Sequence, residues 1–339
     1  MMDKPQDHTQ GVSTWRRYGL EEHSPVEASL PIVENSITQM APGPSETGAT
    51  IVTNGYVTVA HSLIRPCSVG VLILKDGDTG FFFPRRWVGE LRVNGVVAEP
   101  DVIHLPVEGV TYYVRGQERE ILGSILPRAR FIETVAALRG VDPDKEKLHE
   151  GALGLGPVAS RIVHRGLASI VRRVPEGDGA STLRCSSFDF TNKVFKLMLD
   201  TYLYARPEQT NKSGRVHNPG WIVRVAEERF ASAMNGPVSL ADLCQATGVS
   251  KSALYLAFQQ WCGEPPITYF HKRRLSKART RLLNTNFRRG AVKHAVLSVG
   301  LTELGRFSRE YMQIFGEQPS ITISRSVISP FSNESLAEG

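Results

Sequence analysis

The chain has 339 residues, 41% of them hydrophobic and 22% charged, with a net charge of +6. That balance fits a folded protein of two or three domains and excludes a disordered or collagen-like chain. No run of 18 apolar residues is present, and residues 1–18 hold no apolar signal core, so neither a membrane span nor secretion is expected; a cytoplasmic protein is.

Residues 1–48 are rich in Pro, Ser and Thr and poor in periodic apolar pattern. They read as a loosely ordered arm, with Trp15 and Tyr18 as docked pieces. From about Thr50 to Arg119 the pattern shortens to alternating strands, as in Val57/Val59 and Val69/Val71/Ile73. Asp76-Gly77-Asp78 and Asn94-Gly95 are hairpin signals. The run from Gly89 to Pro106 resembles the rolled barrel of cupin-like sensor domains. His61 and His104 are the only histidines of this segment and no His-x-His occurs. A metal cupin needs two or more clustered histidines and an acid, so no metal and no other cofactor is expected, and the chain does not read as an enzyme. The aromatic residues Phe81, Phe82, Phe83, Trp87, Tyr112 and Tyr113 read as core rather than pocket lining.

A helical period begins at Arg128. Phe131, Val135 and Leu138 mark a short helix. Val158, Ile162, Val163, Leu167, Ile170, Val171 and Val174 form the apolar face of a second, with Arg161, Arg165, Arg172 and Arg173 on a solvated face opposite. Phe188 to Tyr204 is a third. Residues 49–205 together read as a cupin-like effector and dimerisation domain. Residues 206–220 have linker composition, residues 221–325 form a helical C-terminal domain, and residues 326–339 a tail. Cys67, Cys185, Cys244 and Cys262 are scattered, without a C-x-x-C pair, and read as reduced thiols.

Residues 221–325 carry 15 Lys and Arg against 7 Asp and Glu, a charge of +8, so the remainder is −2. The basic excess suits a phosphate-facing surface. This segment also contains a repeat. Leu254, Phe258, Gly263 and Pro266 recur 53 residues later as Phe307, Tyr311, Gly316 and Pro319, and Gly248 and Gly300 stand upstream of each copy. In the first copy Ser239, with Asp242 in the capping-box position, begins a helix through Leu240, Leu243 and Cys244. Gly248 allows a tight turn, and Ser250 caps the helix from Lys251 to Trp261. Helix, glycine turn, helix is the arrangement that sets a second helix into a DNA major groove. From Pro266 a connecting helix of about 18 residues, or ~27 Å, runs to Leu283. The second copy repeats the plan through Val292, Ala295 and Val296, with Gly300 at the turn and Thr302 as expected N-cap.

These stretches, Ser239 to Phe258, Gly263 to Pro266, Arg273 to Arg279 and Val299 to Ser320, resemble the AraC/XylS family of bacterial transcription regulators over about 100 residues. Within it, LGRFSREY at residues 304–311 is similar to the subgroup containing XylS and the ethanolamine-utilisation regulator. The chain departs from the family pattern at Ala295-Val296, where Ile-Ala is usual, at Leu301, where Phe is usual, and at Met312, where a basic residue is usual. The resemblance implies DNA contacts from Ser250, Lys251, Ser252, Tyr255 and Leu256 on the first reading helix. It implies contacts from Glu303, Leu304, Arg306 and Arg309 on the second. Arginine matches guanine O6 and N7 bidentately, which singles out Arg306; Arg309 has pairing with Glu310 or Glu303 as its rival use. Arginines of the connecting helix, Arg273, Arg274, Arg279 and Arg281, are implied to hold the two halves together. The fold class implied is α+β, a cupin-like β-barrel followed by two helix-turn-helix motifs joined by a long helix. Expected partners are promoter DNA, RNA polymerase, a small-molecule effector and a second copy of the chain. The alternative left open is a regulator of the same DNA-binding type with no ligand, controlled by abundance or a protein partner.

Overall fold

A computed structural model describes residues 12–18, 30–43, 45–106, 111–149, 151–174, 179–183, 185–207, 219–233, 236–285 and 289–326. The N-terminal half is β-rich and the C-terminal part is helical. Its first strands are β1 (Val12–Tyr18), β2 (Ile32–Gln39), β3 (Thr47–Thr53), β4 (Thr58–Ile64), β5 (Ser68–Leu74) and β6 (Asp78–Trp87). They are followed by β7 (Arg92–Val93), β8 (Val96–Val97), β9 (Val102–Leu105), β10 (Thr111–Gly116) and β11 (Arg119–Pro127). Three helices come next, α1 (Arg128–Arg139), α2 (Gly156–Val171) and α3 (Ser187–Tyr204). Among them lie the short strands β12 (Gly151–Gly154) and β13 (Gly179–Leu183), with β14 (Arg206–Pro207) just after α3.

The strands form two sheets, one of order β13-β1-β3-β4-β11-β6-β9-β12-β14 and one of order β2-β5-β10-β7-β8. The described strands therefore form two facing sheets and not the closed barrel expected. Ile37, Leu74, Phe82, Tyr112, Val114 and Ile121 fill the space between them. On its other side the larger sheet buries α1, α2 and α3 through Phe83, Phe131, Val163, Leu167, Val194 and Met198.

Two turns show why local chemistry decided some elements and not others. Asn94 and Gly95 both have positive φ, 52° and 77°, and Arg92 and Val93 pair with Val97 and Val96, a two-residue hairpin as expected. Asp76-Gly77-Asp78 turns the chain too, but β5 and β6 belong to different sheets, so the turn is a corner and not a hairpin.

Residues 1–48 do not form a loose arm throughout. Val12–Tyr18 pairs with both β3 and β13, and Ile32–Gln39 pairs with β5. Such sequences hide in composition because hydrogen-bonded neighbours far along the chain, not their own apolar content, supply the stabilisation. Most of the expected linker, residues 208–218, lies outside the described residues, as do residues 327–339 of the expected tail. Arg206–Pro207 pairs with β12, and Pro219 already begins a helix. On α2, Val163, Leu167, Ile170 and Val171 are buried as expected, but Val158 and Ile162 are 60% and 61% exposed, so the buried stripe is narrower than the apolar one.

The helical part comprises α4 (Pro219–Ser232), α5 (Leu240–Thr247), α6 (Lys251–Trp261), α7 (Pro266–Leu283), α8 (Ala291–Leu297), α9 (Leu304–Phe315) and α10 (Pro319–Ser326). It has two cores. Ile222, Ala226, Phe230, Leu243, Leu254 and Phe258 make the first, and Leu282, Ala295, Val296, Phe307, Tyr311 and Phe315 the second. Helix α7 enters both, with Tyr269 and Phe270 at one end and Leu275, Ala278 and Leu282 at the other.

Candidate nucleic-acid interface

Each core is centred on one helix-turn-helix. In the first, Ser239 accepts a hydrogen bond from the Asp242 amide while Asp242 accepts one from the Ser239 amide, the full capping box. The Ser239 hydroxyl and the Ser239 amide both donate to the Asp242 carboxylate and hold it below its ordinary pKa. Gly248 ends α5 at φ 63°, a left-handed position that costs glycine nothing. The Ser250 side chain accepts from the Ala253 amide and starts α6. Leu254, Ala257 and Phe258 are buried, so the opposite face of α6 is turned outward.

Lys251, Ser252, Tyr255 and Leu256 are all exposed on that outward face, Tyr255 at 42% and Leu256 at 57%. Ser250 is exposed beside them, with its hydroxyl already engaged as the cap. Helix α9 repeats the arrangement. Phe307, Tyr311 and Phe315 are buried, and Glu303, Leu304, Arg306 and Arg309 are exposed. Two sets of side chains named from sequence thus come together, each on the free face of the second helix of its unit.

The N-cap of α9 differs from expectation. It is Glu303, with no side-chain cap bond, and Thr302 stands one residue before it. The main chain settles the start at Leu304, because the Phe307 amide donates to the Glu303 carbonyl. Arg306 pairs with Glu310 at 2.9 Å, and His271 of α7 reaches the same carboxylate at 2.8 Å. Both partners hold Glu310 below the usual carboxylate range against the opposing effect of its partial burial. The rival use suggested for Arg309 therefore belongs to Arg306. Arg309 forms no ion pair among the described residues.

The connecting-helix arginines are held inward. Arg279 donates to Glu317, Tyr311 Oη and Thr322 Oγ1 and lies over the Phe315 ring, with its centre 5.0 Å from the ring. Arg274 donates to the Gly236 carbonyl and covers Phe230. Arg273 pairs with Glu227 of α4 at 3.0 Å and with Glu34 of β2 at 2.8 Å. Burial works against the Arg273 charge, and Glu227, Tyr269 and Glu34 more than offset it, so its pKa is raised. Arg281 is half-buried.

The outer face of the smaller sheet rests on this helical part. Val69 and Val71 of β5 and Tyr113 of β10 join the first core, and the Tyr113 ring meets Trp261 edge-on at 5.4 Å. Gln39 donates from its side chain to the Ile314 carbonyl of α9 and from its backbone amide to Ser276 Oγ of α7. Lys272 donates to the Met40 carbonyl. Sequence reasoning missed Glu34 and Gln39, since nothing in the spacing of β2 marks a contact some 240 residues away.

Between the facing sheets lies a partly open cavity of about 140 Å³. Phe81, Phe82 and Tyr112, expected as plain core, line it, while Tyr113 faces the helices instead. His104 is buried, its pKa pushed down to about 4 by that burial, and His61 pairs with Glu120. No group of three or more potential metal ligands exists among the described residues. The four cysteines are free. No described helix is long and apolar enough to cross a membrane.

Residues 243–325 match the model of a helix-turn-helix domain family. XylDLEGF operon transcriptional activator 2 of Pseudomonas putida is 33% identical over 103 residues, covering 30% of this chain and 63% of that protein. The probable thc operon regulatory protein of Rhodococcus erythropolis is 33% identical over 102 residues, 30% of each chain. The matches thus span between about a third and two thirds of these relatives' lengths. A solved structure of a probable AraC family transcriptional regulator from Rhodopseudomonas palustris is 34% identical, with 31% of this chain and 96% of that chain covered and a TM-score of 0.28. Through its two helix-turn-helix units, the chain belongs to the AraC/XylS family of transcriptional regulators.

Proposed function

We propose that the chain is a sequence-specific activator of transcription whose two reading helices, α6 and α9, enter successive major grooves on one face of promoter DNA. The observation that carries this is the pair of outward faces. Lys251, Ser252, Tyr255 and Leu256 sit on one, and Glu303, Leu304, Arg306 and Arg309 on the other, each backed by its own core. An α7 of 18 residues is ~27 Å long, which suits two heads about one DNA turn, roughly 34 Å, apart. Arg306 and Arg309 are the guanine readers, Leu256, Leu304 and the Tyr255 ring meet thymine methyls, and Lys251 adds charge against phosphate.

The N-terminal half, on this reading, is a cupin-like sensor in which a small molecule occupies the cavity between the sheets. The cavity's mainly apolar lining supports it. DNA-bound protein then contacts RNA polymerase, and a second copy of the chain completes the promoter complex.

The test is retention of fragmented genomic DNA by the purified protein, followed by sequencing. Fragments sharing a motif of two blocks about one helical turn apart are expected. Retention without any motif, abolished by moderate salt, overturns the reading, because charge alone then accounts for binding. A motif bound equally well with and without every small molecule tried supports the ligand-free alternative for the N-terminal half.

A further inference from the structure

Arg306 has two candidate uses, an ion pair and a base contact, and its geometry allows both at once. Its Nε donates to Glu310 Oε1, one helical turn further along α9, at 2.9 Å. Among the described residues its Nη1 and Nη2 make no hydrogen bond, and the side chain is largely exposed. Those two amino groups are the fork that matches guanine O6 and N7. The other oxygen of Glu310, Oε2, lies 2.8 Å from His271 Nε2 on α7. An ionised carboxylate only accepts, so His271 Nε2 carries the proton and donates.

Glu310 is therefore held from both sides. One oxygen faces the reading helix and the other the connecting helix, so the carboxylate cannot turn without losing a charge-assisted hydrogen bond. Partial burial works against its charge, and the bonds from Arg306 and His271 outweigh that, which keeps it ionised. All three side chains border one open cleft of about 160 Å³, beside Gly300 to Glu303 at the turn of the second unit. The first unit has no counterpart, since the residues 53 positions before Arg306 and Glu310 are Ala253 and Ala257. As a stabilising ion pair the contact is worth little, because the Arg306 side chain is exposed and solvent screens it. Its geometry has another effect. An arginine already held at Nε has fewer rotamers to lose when it docks on DNA.

We infer that Glu310 is a positioning residue for base recognition: held by His271 of the connecting helix, it fixes Arg306 so that both Nη groups face a guanine edge in the groove. The inference rests on the reading of Arg306 as a base contact and names what orients it. The magnitude follows from the freedom removed. Ordering one long side chain costs an equilibrium constant about 2- to 12-fold, and Glu310 supplies that ordering in advance. The gain applies only to the pose that fits guanine, since other poses break the Nε bond. It therefore appears as discrimination at one base position. Elsewhere the sign is opposite. A carboxylate beside the DNA surface repels phosphate, so Glu310 lowers affinity for DNA of any sequence. That combination separates a positioning residue from one that merely supports the helix.

The experiment is selection of bound duplexes from a randomised pool by the full chain, with sequencing of the bound fraction. It compares the unmodified chain with Arg306→Ala, Glu310→Ala and Arg306→Ala/Glu310→Ala. Affinity for one duplex of unrelated sequence and the urea unfolding midpoint are measured alongside. Arg306→Ala is expected to erase a guanine preference at one position and so to locate it. Glu310→Ala is expected to reduce that preference about 2- to 12-fold, leave other positions unchanged, and bind the unrelated duplex no more weakly than the unmodified chain does. In the double variant Glu310→Ala is expected to add nothing to the loss of preference. His271→Phe removes the donor to Oε2 and keeps the Arg306–Glu310 pair. It is expected to give a smaller loss of the same kind, which decides the matter if Glu310→Ala does not fold. An unchanged guanine preference in Glu310→Ala overturns the positioning role and leaves Arg306 a reader. Equal weakening at every position with a lower unfolding midpoint also overturns it, because Glu310 then only supports α9. If Arg306→Ala alters no position, the base-reading assignment itself fails, and the positioning role with it.

Discussion

Arg273 offers the sharpest test of what holds the helical part together. Replacing it with Met keeps the length of the stem and removes the charge. Glu227 is 8% exposed and would lose its ion-pair partner, keeping the hydrogen bond from Tyr269 Oη and the more distant charge of Lys277. Breaking a buried ion pair from one side costs about 3–5 kcal/mol. The Glu34 contact adds less, because that side chain is 36% exposed and solvent screens it. The deficit must depend on pH. Burial already raises the Glu227 pKa and Arg273 opposes that rise, so the substitution raises it further. A carboxyl whose folded pKa lies above its unfolded value, about 4.3, favours folding below the unfolded value and loses that contribution as pH rises through the folded one. Arg273→Met is therefore expected to be near-normal around pH 4 and fully destabilised only above the raised pKa. Urea unfolding followed by circular dichroism from pH 4 to 8 measures this. Arg273→Met/Glu227→Gln, which removes both charges, is expected to recover most of the loss. A deficit independent of pH, or a double variant no more stable than Arg273→Met, would refute the reasoning.

Arg306→Ala and Arg309→Ala are expected to weaken specific DNA binding about 5- to 150-fold, each relaxing preference at one base position, without changing the unfolding midpoint; electrophoretic mobility shift on a randomised site reads both. Met312→Lys restores a cation on an exposed position of α9, so log K against log salt is expected to steepen by about 0.9; an unchanged slope means that this position does not face phosphate. Gly248→Ala meets no neighbour within 4 Å, so its cost, about 1 kcal/mol in urea unfolding, comes from the left-handed backbone alone.

The helical part was legible because its signals are local. Capping residues, a left-handed glycine and apolar residues at helical spacing lie within a dozen positions of one another in the first unit, and the second repeats the glycine and the apolar residues, though not the side-chain caps. Gly248 and Ser239–Asp242 do what their residue types require. The second unit was read one residue astray at its N-cap because Thr302 has the better capping side chain, while the backbone starts the helix after Glu303. The N-terminal half was less legible for the opposite reason. Arg119 looks in sequence like any strand-edge charge, and only the pairing of β11 with β4 and β6 sends it inward. Neither Val12–Tyr18 nor Ile32–Gln39 carries a strand signal strong enough to outweigh Pro, Ser and Thr around it. Their partners, β3, β13 and β5, are what make them strands.

The placement of β2 makes it the strand through which the cavity and the reading heads can affect each other. Asn35 and Ile37 line the cavity, while Glu34 and Ser36, on the alternate face, meet Arg273. At the strand's end Gln39 stands opposite Ser68, the residue that accepts from Arg119, and donates to Ile314 of α9. A ligand alters DNA affinity only so far as it favours one arrangement of these contacts over another, and typical couplings are about 1–3 kcal/mol. Gln39→Leu removes the bonds to Ile314, Ala41 and Gly43 and leaves the cavity lining untouched. It is expected to keep ligand affinity in free protein within about twofold while reducing the ligand-dependent change in DNA affinity, measured as the four equilibrium constants of the ligand–DNA cycle. Because coupling is reciprocal, DNA must then also change ligand affinity less than it does in the unmodified chain. A full coupling energy in Gln39→Leu would show that this end of β2 carries none of it.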